Sequence, residues 1–261
     1  MTRTVDALRA EWLKLRTVSS SAWLVVGIIV LTIAISAAAT VANRCPAGTY
    51  CPVDTTKLSL TGIQFGQAVV AILAVLPVCN EYSTGMIRVT LAAMPRRPAV
   101  LGVKAAIIGG LALAAGAAAI LGSLLAARLI LPGQGFDVAQ GFRTLSLANS
   151  STLRAAAGSV LYLALVALLS SGLAAAVRDP ALTIGVVLGL LYLFPVVAAF
   201  VGNPTWHRRL ERYSPMAGLN IQATTGLKSL AIGPWAGLGV LAIWAAVALL
   251  AGGLAMTLRD A

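Results

Sequence analysis

The sequence predicts an all-α membrane protein with six transmembrane helices, and two observations carry that prediction. Apolar residue types make up 59% of the 261 residues and charged types only 10%, whereas a soluble domain carries about a quarter charged residues. Six stretches of at least 23 residues contain no Asp, Glu, Lys or Arg, and a helix needs about 20 residues to cross the hydrocarbon core. These figures exclude a soluble enzyme, a disordered chain and a disulfide-dense secreted module.

The six spans are placed inside the charge-free stretches. They are residues 22–41, 60–79, 104–131, 155–177, 181–201 and 234–258. Residues 1–261 therefore form a single transmembrane domain. Two Gly-x3-Gly pairs, Gly185 with Gly189 and Gly233 with Gly237, have the spacing that lets helix backbones approach closely.

The segment before the first span has the pattern of an amphipathic helix. Its apolar residues recur at spacings of three and four, namely Val5, Leu8, Trp12 and Leu15. We expect residues 1–21 to lie on the membrane surface, with Trp12, Lys14 and Arg16 as interfacial anchors at the headgroup level. The alternative is a solvated tail that only sets topology.

Basic residues predict the orientation of the chain. Four precede the first span and two follow it in the next loop, namely Arg3, Arg9, Lys14 and Arg16, then Arg44 and Lys57. The positive-inside rule therefore places the N-terminus in the cytoplasm, and six spans return the C-terminus to the same side. The net charge of +11 indicates topology and contact with membrane lipids rather than with nucleic acid, because no basic run is interleaved with aromatic residues.

Two cysteines, Cys45 and Cys51, share the loop after the first span. In the predicted orientation this loop faces the oxidising side of the membrane, where a disulfide between them would persist. Two unpaired thiols are the alternative. A metal site is disfavoured because no histidine or second cysteine pair lies nearby.

The loop between the second and third spans, residues 80–103, contains a short apolar segment outside the bilayer. Residues 84–94 mix Met86, Ile87 and Leu91 with Arg88 and end before Pro95, which stops a helix. Exposed apolar residues on a short helix favour docking in a groove of a partner. An interfacial loop whose side chains enter lipid is the alternative reading.

The same segment resembles the loop after the second helix of ABC-2 type transporter permeases. The resemblance is carried by Glu81-Tyr82-x-x-Gly85-Met86-Ile87-Arg88-x-Thr90-Leu91-x-x-x-Pro95-x-Arg97, followed by Lys104. It implies a coupling helix that docks on a cytoplasmic ATPase, two copies of which would bind ATP and magnesium. It also implies a homodimer or heterodimer with a sister permease in a bacterial plasma membrane. The implied ATPase-coupling residues are Glu81, Gly85, Met86, Ile87, Arg88, Thr90, Leu91, Pro95 and Arg97.

The segment before the last span, residues 202–233, is predicted to form one or two short helices at the outer interface. Trp206 and Tyr213 are suited to anchoring at that depth. Its basic side chains would either attract an anionic substrate or lipid headgroup, or only extend to lipid phosphates.

The sequence lacks the residues that several kinds of chemistry require. No Gly-x4-Gly-Lys-Ser/Thr motif occurs, so the chain itself has no P-loop for nucleotide. No acidic residue falls within the core of a predicted span, which disfavours an ion-gradient-driven carrier. The single histidine, His207, lies in an outer loop without a catalytic or metal-binding motif. We therefore expect a transport subunit that is not an enzyme and has no cofactor or metal of its own. The alternatives are a secondary carrier and a non-transporting membrane scaffold.

Overall fold

The computed structural model describes residues 19–46, 51, 53–87, 97–136, 142 and 145–258. The described part of the chain contains helices, turns and loops and no strand. The predicted interfacial helix with Trp12, Lys14 and Arg16 lies outside these residues. So do four of the predicted coupling residues, namely Arg88, Thr90, Leu91 and Pro95.

Eight α-helices follow one another in the described residues. They are α1 Ser19–Ala42, α2 Thr55–Ser59, α3 Ile63–Ser83, α4 Arg97–Ile130, α5 Ser150–Val177, α6 Pro180–Phe200, α7 Pro204–Tyr213 and α8 Pro234–Leu258. Six of them, α1, α3, α4, α5, α6 and α8, are long and apolar enough to cross a membrane. This confirms the predicted all-helical fold with six helices of spanning length.

Successive long helices alternate in direction, so the bundle has two ends. We call the end with the Cys45–Cys51 disulfide the disulfide end; it also carries residues 131–136 and 145–149 and residues 201–233. The opposite end carries Glu81 and Lys104, which form an ion pair, and we call it the ion-pair end. The predicted coupling segment emerges at the ion-pair end.

Helix α5 is the centre of the bundle. It is the most buried of the six long helices and packs against α3, α4, α6 and α8. Small residues allow this close packing, since many of its buried positions are Ala, Gly or Ser. The hydroxyls of Ser170 and Ser171 donate to carbonyls of their own helix, those of Val166 and Leu168, which satisfies them without a ligand.

The closest approach of two long helices involves α5 and α8. A Cβ added to Gly172 would lie 2.5 Å from the carbonyl carbon of Ala248, and one added to Gly252 would lie 2.5 Å from the carbonyl oxygen of Gly172. Backbone therefore meets backbone at this crossing. Gly185 and Gly189, by contrast, have no described atom within 4 Å of an added Cβ, so their spacing does not mark a helix contact inside this chain.

The segment between α6 and α8 divides into a surface part and a buried part. Helix α7 has no buried residue. The following 3₁₀ segment, Pro215–Gln222, is largely buried and packs against α8 and α5. Gly237 permits this contact, because a Cβ there would lie 2.1 Å from the carbonyl oxygen of Ala217. Residues 202–233 thus lie only partly at the bundle surface.

The glycine crossing of α5 and α8 yields a prediction with a neighbouring control. Gly252→Ala inserts a methyl group against the backbone of α5, so we expect a loss of about 1–3 kcal/mol in the free energy of unfolding. Gly253→Ala, which has no described atom within 4 Å of its Cβ, is expected to be neutral or slightly stabilising. Unfolding midpoints of the purified variants in detergent test this, and equal midpoints would contradict the close crossing.

Candidate functional site

A buried ion pair joins the two helices that flank the predicted coupling segment. Glu81 lies in the last turn of α3, and Lys104 lies two turns into α4. Lys104 Nζ is 2.6 Å from Glu81 Oε1, and each side chain is only 3% exposed. Burying either charge alone costs several kcal/mol, whereas a hydrogen-bonded opposite charge offsets that cost. The two helix ends are therefore held to each other.

Helix α3 ends at Ser83, two residues after Glu81, and the backbone conformation of Gly85 turns the chain out of the helix. Gly85 has a φ of 70°, in the left-handed region that favours glycine, and its N–H donates to the Tyr82 carbonyl. The next two residues have helical backbone. Met86 is 47% exposed, whereas Ile87 is 4% exposed and belongs to the hydrophobic core. Of these two predicted coupling residues, Met86 is therefore the one that presents apolar surface.

Arg178 joins the ends of α5 and α8 to the end of α3 in the same region. It ends α5 in a left-handed conformation with a φ of 68°, which is uncommon for a residue other than glycine. Its guanidinium donates to the Ala255 carbonyl of α8 at 3.0 Å and lies 4.9 Å from the centre of the Tyr82 ring of α3. These contacts hold α5, α8 and α3 at one point.

A two-residue connection joins α5 to α6 at this end. Asp179 follows Arg178 and caps α6 by accepting a hydrogen bond from the Leu182 N–H at 2.7 Å. Pro180 takes the first helical position, where its missing N–H has no consequence. The thiol of Cys79 on α3 lies 3.8 Å from Thr183 Oγ1 on α6. Helix α3 therefore contacts both members of the α5–α6 hairpin.

The contacts at the ion-pair end connect several helices. The described residues contain no group of three or more His, Cys, Asp or Glu side chains that could hold a metal. What the geometry provides is a connection: the helices on both sides of residues 84–96 are paired with each other, and α3 contacts α5 and α6. The ends of α3 and α4 are therefore linked to each other and, through α3, to the α5–α6 hairpin.

The disulfide end is held by a covalent and a polar contact. The structure joins Cys45 and Cys51 in a disulfide. The Cys45 N–H also donates to the Gln134 carbonyl at 2.9 Å, which connects the first loop to the segment after α4. Gly135 is needed beside it, because its φ is 85° and a Cβ would lie 2.0 Å from the Cys45 carbonyl oxygen.

Asp54 fastens the buried 3₁₀ segment to the first loop. Its carboxylate accepts hydrogen bonds from the backbone N–H groups of Lys57, Thr224 and Thr225 and from the Thr224 hydroxyl. Burial alone would raise the pKa of Asp54, but the hydrogen bonds to Thr224, Thr225 and Lys57 together outweigh it and hold the pKa below its ordinary value. Arg154 adds a hydrogen bond to the neighbouring Ala223 carbonyl at 2.7 Å.

Sequence reasoning places some of these residues and misses others. Glu81, Gly85, Met86 and Ile87 lie together at the ion-pair end, and Arg97 begins α4. Arg178 and Asp54 were not predicted as organising residues. The signal for Arg178 is the Arg178-Asp179-Pro180 string in the shortest gap between two apolar stretches. For Asp54, the local contact with Lys57 is that of a helix N-cap, and nothing local indicates Thr224 and Thr225, which lie 170 and 171 residues further along the chain.

The comparisons with known proteins do not assign the chain to a family. No protein-family model matches the chain, and no curated protein sequence matches it.

The ion pair predicts a specific pattern of unfolding free energies. Glu81→Met or Lys104→Met removes one member of the buried pair and with it the 2.6 Å contact, so each single variant is expected to lose about 3–5 kcal/mol. The double variant removes both charges and is expected to recover at least half of that loss. Lys228→Met, at an exposed lysine, serves as the control and should change stability little. Additive losses in the double variant would show that the pair is not coupled.

Asp54 yields a prediction that depends on pH. Because the folded-state pKa is lowered from 3.8, the stabilisation is complete above the unfolded-state pKa and is lost as the pH falls through the lowered value. At pH 7, Asp54→Asn should cost about 1 kcal/mol and speed hydrogen exchange at the Thr224 and Thr225 amides. The cost should shrink below pH 4. Asp179→Asn, at the opposite end, should leave exchange at those two amides unchanged; equal exchange in the Asp54 variant would refute the contact.

Proposed function

We propose that this chain is the membrane-spanning permease subunit of an ABC-2 type exporter, driven by a separate ATPase subunit. The resemblance of residues 81–104 to the permease loop supports the family. The observation that carries the mechanism is the buried Glu81–Lys104 pair, because it joins the two helices that flank this loop. A partner that pushes the loop would therefore move both helices as a unit.

In the proposed mechanism, residues 84–94 dock on the ATPase, with Met86 as an apolar contact. ATP hydrolysis with magnesium on two ATPase subunits supplies the energy. Closure of these subunits displaces the coupling segment and, through Glu81 and Lys104, the ends of α3 and α4. The Tyr82–Arg178 and Cys79–Thr183 contacts carry the displacement to α5, α8 and α6. Tilting of α3 and α6 then switches the substrate path between inward and outward access.

The proposed assembly contains two permeases, either two copies of this chain or one with a sister chain, around a central path. We place it in a bacterial plasma membrane with both termini in the cytoplasm. The Cys45–Cys51 disulfide supports this orientation, because it puts the bond on the oxidising side and the free thiol of Cys79 near the reducing side.

Loss of ATPase capture tests the proposed docking contact. Met86→Asp places a charge on the apolar docking surface. In a detergent pull-down with a co-expressed partner ABC ATPase, we expect this variant to retain less than about a tenth of the ATPase that the unsubstituted chain retains. Ile87 is avoided because its burial would confound docking with folding. Leu147→Asp introduces the same charge at a similarly exposed leucine of the disulfide end and should leave capture unchanged.

Two outcomes would contradict the proposal. One is full ATPase capture by the Met86→Asp variant. The other is uphill movement of substrate by the chain reconstituted alone in vesicles under an ion gradient, which would identify a secondary carrier. A scaffold that moves no substrate would capture the ATPase but show no ATP-dependent transport.

A further inference from the structure

A cavity of about 350 Å³ opens at the disulfide end between α3, α6, α7 and the buried 3₁₀ segment. Its wall is amphipathic. Phe194 and Met216 contribute apolar surface, whereas Gln64, Asn220 and Gln222 contribute side-chain amides. A wall of this composition fits a ligand that has both an apolar and a polar part.

One polar group in this cavity is unsatisfied. Gln222 is only 3% exposed, and its Nε2 has no hydrogen-bond partner among the described residues. The amide of Asn220, by comparison, donates to the Ile232 carbonyl. A buried donor without a partner costs about 1–3 kcal/mol. The Gln222 amide therefore holds a donor that would be satisfied by a ligand with an acceptor oxygen once the amide turns toward the cavity.

The cavity lies at the depth where two long helices end. Gln64 is in the first turn of α3, and Ala198 is in the last turn of α6. In a bilayer these positions are at the boundary between hydrocarbon and headgroups. Trp206 on the adjacent α7 is 57% exposed, as expected for an aromatic residue at that level.

The surroundings of the cavity are positively charged. Lys57 lines it, and α7 carries three arginines and one glutamate. Arg212 is held at the rim by hydrogen bonds to the Ala231 carbonyl. The glutamate, Glu211, also lines the cavity, and its carboxylate lies 3.4 Å from His207 Nε2. The balance of charge favours an anionic ligand.

We propose that this cavity binds the phosphate headgroup of a membrane lipid. On binding, the Gln222 amide turns into the cavity and its Nε2 donates to a phosphate oxygen. Lys57 supplies a positive charge, and Phe194 and Met216 contact the apolar part of the lipid. The proposal requires only that the six long helices span a membrane, so it does not depend on coupling to an ATPase.

The probe is dihexanoyl phosphatidylglycerol, titrated into the purified full chain in a neutral detergent and measured by calorimetry. Gln222→Met keeps the length of the side chain and removes the donor, so we expect about tenfold weaker binding. Without lipid, the same variant should be at least as stable as the wild type, because an unpaired buried donor has been removed. Lys57→Gln should also weaken binding. Ser229→Ala, whose hydroxyl already bonds the Gly226 carbonyl, is the control within the cavity and should leave the affinity unchanged.

Three results would overturn the proposal. Equal affinity of the wild type and Gln222→Met would remove the role of the amide. Equal binding of dihexanoyl glycerol, which has no phosphate, would remove the headgroup as the recognised part. Inorganic phosphate that binds as tightly as the lipid would identify the site as one for free phosphate. Saturable lipid binding that is lost in Gln222→Met and kept in Ser229→Ala supports the assignment.

Discussion

The ion pair between Glu81 and Lys104 is the constraint on which the ion-pair end of the bundle depends. Both charges lie where little water reaches them, so neither would be tolerated without the other. Their pairing extends α3 and α4 beyond the apolar stretches and fixes where the chain leaves the bundle at Gly85. The described ends of α3 and α4 on either side of residues 88–96 are therefore held by an electrostatic contact inside the bundle.

The two ends of the bundle are held by different means. At the disulfide end, a covalent bond and the Asp54 carboxylate fasten loops to one another. At the ion-pair end, the contacts between helices are non-covalent and include an ion pair, a cation–π contact, the Arg178 hydrogen bond to α8 and weak thiol contacts. These non-covalent contacts can break and re-form at a lower free-energy cost than a disulfide bond can. This difference agrees with a role in which one end moves and the other stays fixed.

The sequence predicts the six long helices well because each must be apolar over about 20 residues. It predicts the ends of the helices less well, because the predicted spans stop at charged residues whereas the helices continue past them. Helix α3 continues through Glu81, α4 begins seven residues before Lys104, and α5 begins before Arg154. Each of these charges has a partner distant in sequence, and no local pattern reveals such a partner. The same reason hides the Asp54 contact and the cavity, whose walls come from four separate segments.

The contact between Gly172 and Gly252 restricts how this protein can deform. Because main chain touches main chain there, one helix cannot slide or rotate against the other without a collision. Helices α5 and α8 are therefore expected to move together as one rigid pair. Any large rearrangement of this subunit would change how the other helices pack against this pair and would leave the crossing itself intact.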